Sequence, residues 1–444
     1  MNWNLGQLEC GFCNSQFNCS IGLSNKKTVQ TFSFCCHQCS GILSVEIDPT
    51  KHADCKLINA NRIERPEKGF SDLKSVRLHL DFPALVTDGW IPFSNYTIAA
   101  LTLKDDVNID HFNVVTSELN FYSENILTLQ SIFNFHKNGR AKQLYLASYK
   151  LLREEYEVIV GVDLDYINSM TVLDNITSRD LNVIFYKTLF GISVALNKGE
   201  NPDHEMRELE PYFSGLNKDR LYEFHSYLSN NNHLRKTAES INKIYSDIFS
   251  NEEFFRPSIF LSDYSNMSCK NRRSPLRLVS EKVGVILNIY KDLVEVISKQ
   301  YVVLVGLRNI KTSKSYNVFK NKKVSLRSGV VSVNSLAEFS SLDLGVKTKF
   351  MVGCLYYNEL QKISSKIRNS IAHNNWEYNE LAQEVTFRFS KNVDEKPNQK
   401  NSQTKTMLEV NGDVIQMFRL LHKLNIVNYL FGCYYGCRDF KDEG

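Results

Sequence analysis

The sequence predicts a mainly α protein: a small cysteine-rich β segment at the N-terminus, a helical middle region, and a C-terminal helical bundle broken by a short β-hairpin. Three observations carry this. Apolar residues recur at steps of three and four over several long stretches. Two Cys-x-x-Cys pairs fall near the start of the chain. Val385-Thr386-Phe387-Arg388-Phe389 alternates strictly between apolar and polar. The first pattern is that of a helix with one buried face, and the third is that of a half-buried strand.

The 444 residues suit two or three domains. At 43% hydrophobic and 23% charged, the chain is too apolar for general disorder. Nine prolines and 20 glycines exclude collagen-like and Gly/Pro low-complexity classes. No apolar run approaches the ~18 residues of a membrane helix, the longest being Tyr301 to Leu307. The start, Met1-Asn2-Trp3-Asn4-Leu5, lacks a basic stretch and an apolar core and does not read as a secretory signal. A cytoplasmic protein with reduced thiols and no membrane association is expected. The net charge of +4 is mild, so any nucleic-acid surface must be a local concentration of charge.

Taken in order, residues 1–60 form the cysteine-rich segment, with a β-like run over Thr28–Phe34. Residues 61–72 read as a linker punctuated by Pro66 and Gly69. The middle region, 73–265, opens on short alternating stretches and turns helical from about 112. Ser178, the stripe Leu181, Ile184, Phe185, Leu189, Ile192, Leu196 and then Gly199 give a capped amphipathic helix. Segments near 138–153, 204–229 and 233–250 read similarly. The C-terminal region, 270–440, opens at Ser274-Pro275, an N-cap with proline at the first helical position. Leu276, Val279, Val283, Ile286, Tyr290, Leu293 and Ile297 continue that helix. A second long helix is predicted through Tyr356, Leu360, Ile363, Ile367 and Ile371. The strand at 385–389, a polar loop at 391–405, a partner strand at Met407–Val410, an Asn411-Gly412 turn and a helix from Asp413 to Leu430 follow.

Seven of the eleven cysteines fall in the first 55 residues. Cys10-Gly11-Phe12-Cys13 and Cys36-His37-Gln38-Cys39 have the spacing of two zinc-ribbon knuckles, each pointing two thiolates at one ion. Four thiolates with no open position favour a structural Zn²⁺, one per chain. Cys35, Cys19 and the His52/Cys55 pair compete as ligands, and free buried thiols or a redox pair remain the alternative reading.

Lys366-Ile367-Arg368-Asn369-Ser370-Ile371-Ala372-His373 gathers a cation, an amide and an imidazole off the apolar stripe at the end of a helix. Asn369 and His373 are i,i+4 neighbours, and the long Arg368 side chain can lean onto the same patch. Imidazole can take a proton from a ribose 2′-OH or protonate a leaving oxygen, and guanidinium can hold a phosphate in a fork. Arg and His near a helix C-terminus also suit the macrodipole with no chemistry at all.

The Arg-Asn-x-x-x-His segment resembles the R-x4–6-H motif of the HEPN superfamily. Its flanks agree, with Trp376-Glu377-Tyr378-Asn379 and Gln383–Phe387 fitting a following hairpin. The resemblance spans about 270–440. It implies an all-α bundle with a short hairpin and dimerisation that brings two motifs into one site. It also implies metal-independent endoribonuclease activity of the kind found in toxin–antitoxin and abortive-infection systems. On this basis Arg368 holds the phosphate, His373 is acid/base and Asn369 supports them; an antitoxin or phage-derived trigger is an implied partner.

Between Arg308 and Arg327 lie Arg308, Lys311, Lys314, Lys320, Lys322, Lys323 and Arg327 with no acid, interleaved with Tyr316 and Phe319. RNA contact through phosphates and stacking is one reading, and a solvated charged loop the other. Lys270, Arg272, Arg273 and Arg277 form a second basic cluster. The histidines outside the motif and the cysteine cluster have no ligand spacing. A non-catalytic RNA- or protein-binding regulator is the alternative function.

Overall fold

The computed structural model describes residues 2–90, 109–155, 178–193, 195–197, 202–262, 282–326, 329–390 and 401–436, apart from positions 25, 27, 52–54, 67 and 381. The protein is mainly α, with several small sheets. No helix among these residues is long and apolar enough to cross a membrane. The contacts group the chain into two compact units. One comprises Met1–Ser123, Asn251–Tyr290 and Asn369–Gln416; the other comprises Glu124–Ser250, Lys291–Arg368 and Met417–Gly444.

The first unit is built on β1 (Asn2–Cys10), β2 (Gln16–Gly22), β3 (Gln30–Cys35), β4 (Ile42–Ile47), β5 (Cys55–Ile58), β6 (Ala60–Arg62), β7 (Lys74–His79) and β8 (Leu85–Asp88). Strands β6-β1-β2-β7-β8 form one sheet, with β2 and β7 parallel, and β3-β4-β5 form an antiparallel second. Alternation places Phe17, Cys19 and Ile21 of β2, Phe32 and Phe34 of β3, and Leu43, Val45 and Ile47 of β4 in one apolar core. The alternating stretches beyond the 61–72 linker are β7 and β8, which extend the sheet begun by β1 and β2.

The helices are α1 (Ile109–Lys137), α2 (Ala141–Glu155), α3 (Ser178–Ile192), α4 (Pro202–Ser214), α5 (Lys218–Asn230), α6 (His233–Ser250), α7 (Glu252–Ser262) and α8 (Val283–Ser313). After β9 (Lys323–Leu326) and β10 (Gly329–Ser332) come α9 (Leu336–Ser340), α10 (Leu344–Lys347), α11 (Tyr357–Leu360) and α12 (Ser365–Ala372). The chain then forms β11 (Trp376–Asn379), β12 (Glu384–Arg388), β13 (Ser402–Thr406), α13 (Met407–Tyr429) and a π-helical turn, Leu430–Tyr435. Ser274, Pro275 and the second basic cluster lie outside the described residues.

Helix α8 is apolar nearly all round from Tyr301 to Leu307, and every residue of that run except Gly306 is a buried core side chain. Gly306 itself is required by packing. A Cβ there would stand 2.1 Å from Cζ of Phe224 on α5, so the ring seats directly on the helix backbone.

Two expectations are corrected. The predicted long helix through Tyr356–Ile371 is two short ones. The Ser364 hydroxyl accepts from the Ile367 N–H (3.2 Å) and its carbonyl accepts from the Arg368 N–H (3.2 Å), so Ser364 starts a new helix between them. Met407–Val410 is the first turn of α13 instead of a strand, and β13 lies just before it. The Thr406 hydroxyl accepts from the Glu409 N–H (3.2 Å) while the Glu409 carboxylate accepts from the Thr406 N–H (2.8 Å), a capping box. Asn411-Gly412 therefore sits inside a helix. Asn411 turns inward and donates to the Phe254 carbonyl (2.6 Å).

A buried charge network ties the first unit together. Arg256 on α7 is fully buried. It donates to both Glu252 carboxylate oxygens, to Asp81 Oδ1 (3.2 Å) and to Asn120 Oδ1 (3.1 Å). Lys26 lies 3.9 Å from Glu252 and pairs with Glu253. Burial pushes the Glu252 carboxyl up, against the pull of Arg256 and Lys26. Truncating Arg256 would strand two buried carboxylates. Arg256→Ala should cost roughly 3–5 kcal/mol of stability in chemical denaturation, whereas the exposed Arg220→Ala should change little.

Candidate metal centre and Arg–His helix

Cysteine ligands on two hairpins converge at one point. Strand β1 ends at Cys10 and β2 begins at Gln16; β3 ends at Cys35 and β4 begins at Ile42. The two connecting turns are built alike. Asn14 donates its N–H to the Cys10 carbonyl (2.9 Å), and Ser40 donates to the Cys36 carbonyl (3.0 Å). The N–H of Cys10 reaches the Ser15 carbonyl (3.0 Å), and that of Cys36 reaches the Gly41 carbonyl (2.9 Å). Each turn closes on a left-handed residue directly after its second cysteine, Asn14 at φ 56° and Ser40 at φ 64°.

These matched turns bring Sγ of Cys10, Cys13, Cys36 and Cys39 within 4.8 Å of one another. Cys10–Cys39 and Cys13–Cys36 are each 3.7 Å apart. A tetrahedral ion bound at ~2.3 Å by four thiolates requires sulfur–sulfur spacings of about 3.8 Å. The quartet can hold a metal ion. The Ser15 hydroxyl, followed by its backbone, brings the Cys13 thiol down to about 6, towards the thiolate that a metal needs. Gly41 closes the second knuckle against the first, because a Cβ there would meet the Phe12 ring at 2.5 Å.

The competing cysteines point elsewhere. Cys35 Sγ contacts the Glu380 carbonyl (3.5 Å). Cys19 is sealed in the apolar core, where burial first and the neighbouring Cys55 second push its thiol up. His52 lies outside the described residues.

The Arg–His segment runs along α12 and ends in the turn after it, where His373 stands. Ile367 and Ile371 face inward, while Asn369 and His373 are exposed one turn apart. His373 donates its backbone N–H to the Asn369 carbonyl (3.0 Å). Asn374, at φ 54°, ends the helix, and the Asn375 N–H returns to the Ser370 carbonyl (2.8 Å). The chain then enters the antiparallel β11-β12-β13 sheet, with Trp376 opposite Phe387.

Arg368 is half-buried and ion-paired with Glu295 on α8. Sequence reasoning missed Glu295. It lies 73 positions before Arg368, and no local pattern marks it.

The basic stretch divides. Arg308 is committed to structure: its guanidinium donates to the Phe350 and Val352 carbonyls and to Asn309. Lys311 stands 4.7 Å over the Tyr212 ring. Lys314, Lys320, Lys322 and Lys323 are exposed, the last on the β9–β10 hairpin, and Arg327 lies outside the described residues. The interleaved aromatics are turned inward. Phe319 is buried and Tyr316 stacks on Phe224 (centroids 5.2 Å apart), so neither is offered to a base.

No family model, no curated protein and no solved structure matches the chain.

Proposed function

We propose that this protein is a cytoplasmic, metal-independent endoribonuclease of the HEPN type, braced by a structural zinc ion. In this reading it serves phage defence, abortive infection or toxin-like growth arrest. The observation that supports the reading best is α12: Asn369 and His373 are presented side by side at the exposed end of a helix that also carries Arg368, directly before a short β-sheet.

In the proposed reaction His373 accepts the proton of a ribose 2′-OH, and the resulting oxygen attacks the adjacent phosphorus. Arg368 holds the phosphate oxygens and stabilises the charge that grows on them. The 5′-oxygen leaves with a proton from an acid, and a second copy of the chain in a homodimer supplies the other half of the acid/base pair. The products are a 2′,3′-cyclic phosphate and a 5′-hydroxyl. Asn369 orients the imidazole or the phosphate. Zinc sits in the Cys10/Cys13/Cys36/Cys39 quartet and has no part in this chemistry.

The Arg368–Glu295 ion pair favours a second reading, in which Arg368 is structural and the domain is a non-catalytic RNA- or protein-binding regulator. The two readings separate in one experiment. Wild type and His373→Ala are incubated with total RNA in magnesium-free buffer, without a chelator strong enough to strip thiolate-bound zinc. Cleavage by wild type and none by a folded His373→Ala supports the ribonuclease. Intact RNA with both, in a preparation shown to be dimeric, supports the regulator.

For the exposed lysines, replacing Lys320, Lys322 and Lys323 together with Ala should weaken RNA binding across sequences. It should also flatten the dependence of log K on log salt by about 2–3 in single-strand binding titrations.

A further inference from the structure

A cavity of about 850 Å³ opens inside the second unit, walled by α1, α3, α5, α6, one residue of α8, and the end of α13 with its π-helical turn. Its size falls within the range of small-molecule sites. Neither the metal quartet nor α12 contributes to it.

One wall is a fixed polar platform. The His136 ring stacks flat on Phe185, with centroids 3.8 Å apart and planes within 8°. Its Nε2 lies 2.8 Å from Asn182 Oδ1, and its Nδ1 lies 3.4 Å from Asn242 Nδ2. The imidazole therefore donates through Nε2 and accepts through Nδ1, and burial holds it neutral by lowering its pKa. Each amide uses one end on the ring. Asn182 retains its N–H donors and Asn242 retains its carbonyl oxygen, so the platform presents a donor and an acceptor to the cavity.

The lining also carries an excess of positive charge, with Lys137, Arg179, Arg235 and Lys243 against Glu239 and Asp247. Arg235 is held by Glu239 and Lys243 by Asp292 and Asp247, while Arg179 is bound to the Cys433 carbonyl. Lys137, exposed in the last turn of α1, makes no ion pair with a described residue.

We infer that this cavity binds a nucleoside phosphate, the base reading the Asn182 donor and the Asn242 acceptor and the phosphate reaching Lys137. A flat ring with alternating donors and acceptors on its edge fits the amides, and an anion fits the surplus cation. This site is independent of the ribonuclease reading.

The test is calorimetric titration and thermal melting of the full-length, zinc-loaded protein. The probes are the four common nucleosides, their mono- and triphosphates, inorganic phosphate, and a short oligoribonucleotide. Wild type should bind at least one mononucleotide saturably, more tightly than its nucleoside and than phosphate. Asn182→Leu removes the donor that the platform offers the base, and should weaken that binding at least tenfold. Ala238→Trp, which fills the cavity from α6, should abolish it. Lys137→Ala should weaken the nucleotide and leave the nucleoside unchanged. The inference is overturned if no mononucleotide binds wild type at millimolar concentration. It is equally overturned if binding survives Ala238→Trp unchanged, or if phosphate or the oligoribonucleotide alone accounts for all of it.

Discussion

Replacing Cys10, Cys13, Cys36 and Cys39 together with serine should remove about one zinc ion per chain and strongly destabilise the N-terminal strands. The effect is expected to be large because the site and the core are the same object. Cys10 and Cys36 are buried members of the apolar cluster that holds Phe17, Phe32, Leu43 and Val45. Structural zinc sites in small domains supply roughly 10 kcal/mol or more of binding free energy, all of which is folding free energy. Here the strands keep an apolar core of their own, so only part of that should appear as lost stability. Elemental analysis and far-UV circular dichroism measure the two consequences. Cys35→Ser should keep its metal, because Cys35 Sγ lies against the Glu380 carbonyl and outside the quartet. Metal loss from Cys35→Ser, or wild type that binds none, would contradict the assignment.

His373→Ala should lower RNA cleavage by roughly 10²–10⁴-fold, the usual weight of a general acid or base. His373 is exposed at the end of α12, so its removal should leave the melting temperature nearly unchanged. Activity and stability therefore separate at this position. Arg368 is different. Arg368→Ala should cost about 10²–10³-fold in rate through lost charge stabilisation, and it also leaves Glu295 without its partner. Glu295→Gln is the informative companion. If Glu295 only occupies Arg368 until a phosphate displaces it, the variant should bind RNA more tightly. If Arg368 is structural, the variant should lose stability and gain no affinity.

Legibility in the sequence follows the range of the interaction. The metal quartet could be read because both knuckles are local: Cys-x-x-Cys fixes each turn, and only the pairing of the two turns is long-range. The helices at Ser178–Ile192 and His233–Ser250 are also local, each an apolar stripe with polar flanks. The break before α12 was hidden because Ile363 keeps the apolar rhythm through it, and one Ser364 hydroxyl decides the matter. The strand expected at Met407 was overturned by a signal that was present, the Thr406-x-x-Glu409 capping box, which outweighs a short apolar run. Glu295 and the cavity are different in kind. Arg368 finds Glu295, and His136 finds Asn182 and Asn242, only after distant helices have packed, so no spacing in the chain marks either.

If RNA is cut by 2′-OH attack at a site carried by Arg368 and His373, the chemistry of the cut ends reports it most directly. RNA cleaved by zinc-loaded wild type without magnesium should carry 2′,3′-cyclic phosphate or 3′-phosphate ends and 5′-hydroxyl ends, and His373→Ala should produce neither. Ends bearing 5′-phosphate and 3′-hydroxyl, a requirement for added divalent metal, or the same ends from His373→Ala would contradict the account.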